Sequence, residues 1–289
     1  MFRDRDLAVR VLGTLLPGRA GARTSAHLTR ALGGERVRYA SAVAGAAAAD
    51  LLGDAAAGAA VEQRWVAALA ADDLDACRAW ARVGDACGDA SLLGAEHLPA
   101  PGPAVFASFH LSGGLAVFEV LRRLGFSPTF LLAPAPPGLG RYGRALRAVR
   151  LGYLARVLER PCIETGPGAR RTLQDHLAAG GSIVALLDVP EDAVQLRDRA
   201  QVTLFGRVAS LPLGILRLAV AGALPIVPFD AWVDASGRRT VRLHAPARGA
   251  DAAEALHDVV GAMERVVRER PWDWHAWLEL AALFAPRDA

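Results

Sequence analysis

The chain contains no lysine. All 33 of its basic residues are arginine, balanced by 30 acidic residues to a formal net charge of only +3. This excludes a phosphate-loop nucleotide site, which needs its lysine. Nucleic-acid binding needs a basic stripe, but here the arginines are spread among acids, so no nucleic-acid partner is expected. Cysteine is scarce as well. Cys77, Cys87 and Cys162 show neither the close pairs of a zinc site nor an even framework of disulfides, and they read as small residues in a reducing compartment. Long uncharged apolar runs are also missing. Arg3, Asp4, Arg5 and Asp6 precede any apolar stretch, and no apolar window reaches the roughly 18 residues of a spanning helix, so neither a signal peptide nor a membrane span is expected. Without a Gly-x-Ser-x-Gly elbow, and with Ser112 too close behind its histidine, an α/β-hydrolase reading is weak.

What is present is apolar and helix-forming: 53% hydrophobic residues against 22% charged, enough for a full core in 289 residues. Arginine throughout reflects either codon bias or a preference for bidentate contact with phosphate and carboxylate, so weight falls only on arginines inside a motif. Residues 1–98 read as a helical N-terminal part packed on the core. Alanine-rich periodic stretches span about 37–52, 54–70 and 72–86, with breaks at Gly33-Gly34, Gly53 and Gly84. The first apolar face, Leu7 to Leu16 between arginines, suits either a core or an anionic membrane surface.

From residue 99 the pattern becomes short β-rich runs alternating with helices, the mark of βα units. The expected fold class is therefore α/β: a mixed, largely parallel central sheet flanked by helices, formed by residues 99–289. Strands are expected at Val105–Phe109, Thr129–Leu132, Cys162–Glu164, Ser182–Leu187, Gln201–Phe205, Leu224–Asp230 and Thr240–His244. Helices are expected at about 112–124, 140–158, 168–179, 211–222 and 252–270, with a short aromatic one at 271–283.

Three segments could carry chemistry. In Phe106-Ala-Ser-Phe-His110-Leu-Ser-Gly-Gly114 a buried strand ends on a histidine and runs through glycines into a helix. Reacting groups collect at the carboxyl ends of such strands. His110 is then either a general base or a structural cap of the turn, and Ser112 and Gly113 would offer backbone N–H groups to an anionic substrate. A second strand ends on Asp188 after the Arg170-Arg171 helix and a Gly-Gly break, which puts this acid at the same sheet edge, either to orient a histidine or to cap a loop. A third segment holds Gly206-Arg207, a turn able to hold a phosphate unless the arginine is simply solvated. Trp272, Trp274, Trp277 and Phe284 form an aromatic group near the C-terminus, suited to the core or to a membrane interface.

The series Gly180-Gly-Ser-Ile-Val-Ala-Leu-Leu-Asp188, Leu204-Phe-Gly-Arg207, Leu211-Pro-Leu-Gly214, Gly222-Ala-Leu-Pro-Ile-Val-Pro228 and Met263-Glu264 to Pro271-Trp-Asp-Trp274 resembles, in order and spacing, the bacterial lipid A biosynthesis acyltransferase family over residues 103–278. The resemblance implies a glycerolipid acyltransferase-like fold and transfer of a fatty acyl group from acyl carrier protein or coenzyme A to a hydroxyl or amine of a lipid or glycolipid. It implies no cofactor and no metal, and a cytoplasmic place, peripheral to the inner face of the cell membrane. In that family a histidine deprotonates the acceptor and an acid five positions later steadies it, while arginines hold acidic groups. His110 matches the histidine; Arg170, Arg207 and the Gly206 turn are the candidates for substrate binding. The acid is missing, because the fifth position is Leu115. Either Asp188 from the neighbouring strand or Glu119, one helical turn beyond Leu115, could replace it, and Asp188 is preferred because strand ends converge. The family's membrane-spanning N-terminal segment and the arginine after the Pro228 strand are also lacking. The alternative is an acyl- or lipid-binding relative that has lost catalysis along with the acid.

Overall fold

A computed structural model describes residues 18–81, 90–135, 140–190, 198–234 and 236–284. The N-terminal amphipathic stretch at Leu7–Leu16, the break at Gly84 and Cys87 lie outside these residues. Two long helices lead the described chain, α1 (Gly18–Leu52), bent at Gly34, and α2 (Ala55–Ala81). The turn between them falls at Gly53, where φ is +65°. The stretches expected separately at 54–70 and from 72 are continuous in α2 as far as Ala81, since nothing between them interrupts the apolar period, and residues 82–86 lie outside the described ones.

A seven-stranded sheet follows, in the order β1-β9-β8-β2-β5-β3-β4. Its strands are β1 (Ser91–Leu93), β2 (Val105–Ser108), β3 (Pro128–Leu132), β4 (Ile163–Glu164), β5 (Ser182–Leu186), β8 (Ile226–Val233) and β9 (Arg239–Leu243). The five from β8 to β4 are mutually parallel; β9 runs antiparallel to β8, with β1 parallel to β9 at the edge. The fold is thus α/β with a largely parallel sheet. One expectation is corrected: Ser91–Leu93 belongs to the sheet although all residues up to 98 read as helical, because three residues are too few to show a period.

Helices α3 (Ala116–Arg123), α4 (Arg141–Leu158), α5 (Ala169–Ala178), α6 (Gly214–Ala221), α7 (Ala252–Glu269) and α8 (Leu280–Leu283) complete the chain. Alternation along the central strands divides the core into two layers. Val105, Ala107 and Phe109 of β2 and its end pack with Ile183, Ala185 and Leu187 against α5, α6, α7 and the N-terminal helices. Phe106, Val184, Val227 and Phe229 point the other way, onto α3 and α4. Strands buried on both faces read as continuous apolar runs, which is why Val105–Ser108 and Ser182–Leu186 stood out in the sequence. The longest C-terminal helix, α7, is opened by the Asp251 carboxylate, which accepts from the N–H groups of Ala253 and Glu254.

The strand expected at Gln201–Phe205 forms outside the main sheet. As β6 (Arg199–Leu204) it pairs with β7 (Arg207–Pro212) in a separate hairpin. Phe205 and Gly206 make its two-residue turn, both with positive φ of 52° and 74°, the hairpin turn whose twist matches that of the strands. β7 was not expected because its first half alternates while its second half runs into the apolar start of α6; the helix expected from 211 begins only at Gly214.

Candidate functional site

β2 and β5 are neighbours in parallel register, so the residues just past their ends meet. His110 lies two residues beyond β2 and Asp188 two beyond β5. Asp188 Oδ1 stands 2.8 Å from His110 Nδ1, and the backbone N–H of His110 donates to both carboxylate oxygens at 2.8 and 2.9 Å. Asp188 is completely shielded, whereas the His110 side chain is 43% exposed. A carboxylate on Nδ1 makes that nitrogen the proton carrier and leaves Nε2 as the free basic atom. Nε2 has no hydrogen-bond partner among the described residues.

The electrostatics follow from this contact. Burial pulls the His110 proton affinity down, but the charge and hydrogen bond of Asp188 outweigh it, so the imidazole holds its proton above the ordinary histidine range. For Asp188, burial opposes ionisation. The His110 charge, with hydrogen bonds from the imidazole, the Trp274 indole and the His110 backbone, overcomes it and holds the carboxyl below its usual range. Trp274 Nε1 donates to Asp188 Oδ2 at 2.8 Å.

The other sequence candidates are dispersed. Leu115, at the N-cap of α3, packs against the apolar layer around Phe106 and Val117, an environment hostile to the acid whose place it takes. Glu119 accepts the Tyr153 hydroxyl at 3.1 Å; the contact with His110 is made by Asp188. Ser112 and Gly113 do not offer their N–H groups to a ligand, correcting that expectation: Ser112 N–H donates to the Asp273 carbonyl at 3.0 Å and Gly113 N–H to Asp72 Oδ1 at 2.5 Å. Both donors are occupied because the N-terminal helices and the C-terminal turn close over the loop. Arg207 lies with its guanidinium 4.7 Å from the Phe284 ring centroid, and Gly206 serves the hairpin turn.

Arg170 stands at a cavity of about 330 Å³ whose apolar wall includes Leu131, Leu173, Leu187, Ile215 and Leu218. Leu187 and Val189, the chain neighbours of Asp188, both line it. Gln174, Arg217 and Asp198 add polar groups, the last two joined at 2.9 Å. An apolar recess with a few polar groups is the general form of a small-molecule site.

Sequence reasoning missed a second buried polar group behind the loop. His275 Nε2 lies 3.3 Å from Ser112 Oγ and 3.4 Å from Asp72 Oδ2. Burial, with the Arg150 and His110 charges, pushes His275 down to about 3, so it stays neutral. Burial pushes the Asp72 carboxyl up to about 7 against the pull of the Gly113 N–H and Arg150. The signal for this group was weak, since Asp72 lies in the middle of a long alanine-rich helix. Trp274 and Trp277 are fully buried, and Phe284 nearly so, which places these three in the core, while Trp272 is half-buried beneath the Arg64 guanidinium. Cys162 is half-buried, its thiol pushed up to about 11 by burial, and is therefore unreactive. No helix of the described residues is long and apolar enough to cross a membrane.

No family model matches the sequence, and no curated protein does. Among solved structures, the chain is similar to the 1-acyl-sn-glycerophosphate (LPA) acyltransferase PlsC from Thermotoga maritima. The two are 18% identical over 72% of this chain and 81% of that one, with a TM-score of 0.38.

Proposed function

We propose that the protein is an acyltransferase that moves a fatty acyl group from a thioester donor, acyl carrier protein or coenzyme A, to a hydroxyl or amine of a lipid or glycolipid. The observation that carries this reading is the His110–Asp188 pair, with Nε2 open, at a sheet edge whose next residues wall an apolar cavity. His110 Nε2 takes the acceptor proton as the acceptor attacks the thioester carbonyl. Asp188 holds the imidazole in the productive tautomer and stabilises the imidazolium. The tetrahedral intermediate then expels the thiolate, which takes the proton back from His110. The cavity receives the acyl chain, and Arg170 at its rim meets an anionic group of donor or acceptor. A membrane-surface acceptor would be met at the inner face of the cell membrane.

The sequence motifs support the same chemistry, and Asp188 supplies what Leu115 withholds, which weakens the case for a binding protein without turnover. The test is mass spectrometry of protein incubated with acyl-CoA or acyl carrier protein donors and a lipid extract. Acylated product is expected from the wild type and none from His110→Ala, with Asp188→Asn slower by about 10²–10⁴-fold. Unchanged turnover in His110→Ala would overturn the proposal. Retained acyl chain without product from the wild type would establish the binding role instead.

A further inference from the structure

Asp188 is held from two sides. On one side is His110; on the other is the Trp274 indole, 86 residues away in sequence, donating to Oδ2 at 2.8 Å. Among the described residues Oδ2 otherwise receives only a share of the His110 backbone N–H, which it divides with Oδ1. Trp274 is itself immobilised. Its ring stacks on Phe109 at 6.1 Å with planes 27° apart, and meets Trp277 edge-on at 4.8 Å. Its carbonyl accepts the Trp65 indole N–H from α2 at 3.0 Å, and a bridge joins it to Leu111, the residue after His110. Indole offers a single donor, and here that donor is spent on the buried carboxylate. Core packing alone would be served as well by a ring without N–H.

We propose that Trp274 is the positioning residue of the His110–Asp188 pair: its N–H fixes the carboxylate plane so that Oδ1 holds His110 Nδ1–H and leaves Nε2 free. The assignment rests on His110 acting as the base. Trp65 extends the chain of contacts, so that α2 braces the site through the Trp274 backbone. Without the N–H, Oδ2 loses its strongest donor and the carboxylate is free to turn about its Cβ–Cγ bond. His110 then samples the other tautomer.

The test is the imidazole ¹⁵N spectrum of His110 in wild type and Trp274→Phe, assigned with His110→Ala. Wild type is expected to be protonated at Nδ1 when neutral. Trp274→Phe should gain a measurable Nε2–H population and a displaced titration midpoint, with kcat down about tenfold or more and KM little changed. An unchanged tautomer and midpoint in a folded Trp274→Phe protein would overturn the proposal. Should that variant not fold, the wild-type Trp274 indole proton decides. If it is bonded to Asp188, it exchanges slowly and its shift follows the His110 titration; rapid exchange with no response to pH would overturn the proposal. These spectra need no substrate, so failure of acyl transfer and failure of the positioning role are read separately.

Discussion

At the scale of single residues, the chemistry depends on where one proton sits. His110 must be neutral to accept a proton, and Asp188 raises its affinity against the opposing effect of burial, with Glu279 adding to the rise and Arg150 reducing it. Acyl transfer is therefore expected to increase with pH and reach half its plateau above the ordinary histidine value of 6.5. Asp188→Asn should move that midpoint down as well as slowing the reaction, because it removes the charge that favours the imidazolium. A pH–rate profile of both proteins checks this; a wild-type midpoint below 6.5 would contradict it. Of the residues singled out in the sequence, His110 and Asp188 are in contact, Arg170 lines the cavity, and Glu119 and Arg207 are engaged by Tyr153 and Phe284. The first two were legible because each ends a recognisable apolar strand. Trp274 was legible only as an aromatic residue, since nothing in a linear sequence marks which carboxylate an indole will meet.

At the scale of elements, the loop from β2 to α3 is shaped by what lies behind it. Gly113 has φ +74°, its N–H is taken by Asp72, and a Cβ there would come within 3.1 Å of the Trp232 backbone. Gly113→Ala combines a left-handed strain with a contact that rigid backbone cannot relieve. A loss of about 1–3 kcal/mol is expected, lowering Tm by roughly 2–4 °C for each kcal/mol and disturbing His110 in the same loop. Thermal denaturation measures the first effect and the His110 spectrum the second. The glycines were visible as a turn, but their reason was not: the requirement comes from β8, more than a hundred residues later. β7 and β1 escaped sequence reading for a related reason, because a short strand is specified by its partner more than by its own period.

At the scale of the whole molecule, the N-terminal helices and the C-terminal turn close on the sheet edge from opposite ends of the chain. Asp72 of α2 and Asp273 of the turn are both buried, and burial pushes each carboxyl up to about 7. Between the ordinary carboxyl value of 3.8 and about 7 the folded protein binds more protons than the unfolded chain, so its stability falls as pH rises through that window. Asp72→Asn keeps an oxygen for the Gly113 N–H and supplies an amide donor to His275 without the buried charge. Its Tm is expected to exceed that of the wild type by a few degrees at pH 8, with the advantage gone near pH 4. Equal pH dependence of the two Tm curves would count against this account.

The sequence by itself determined the α/β class, the change from helices to βα units, and the two strands that end on His110 and Asp188, because periodicity and strand-end chemistry are local properties. Tertiary structure alone decided that β5 lies beside β2, so that Asp188 reaches His110, and that Trp274 and Asp72 arrive from the two ends of the chain. Strand order and the closing of distant segments over a loop follow from burying both faces of the sheet at once, a condition satisfied by the whole core and by no single stretch of it.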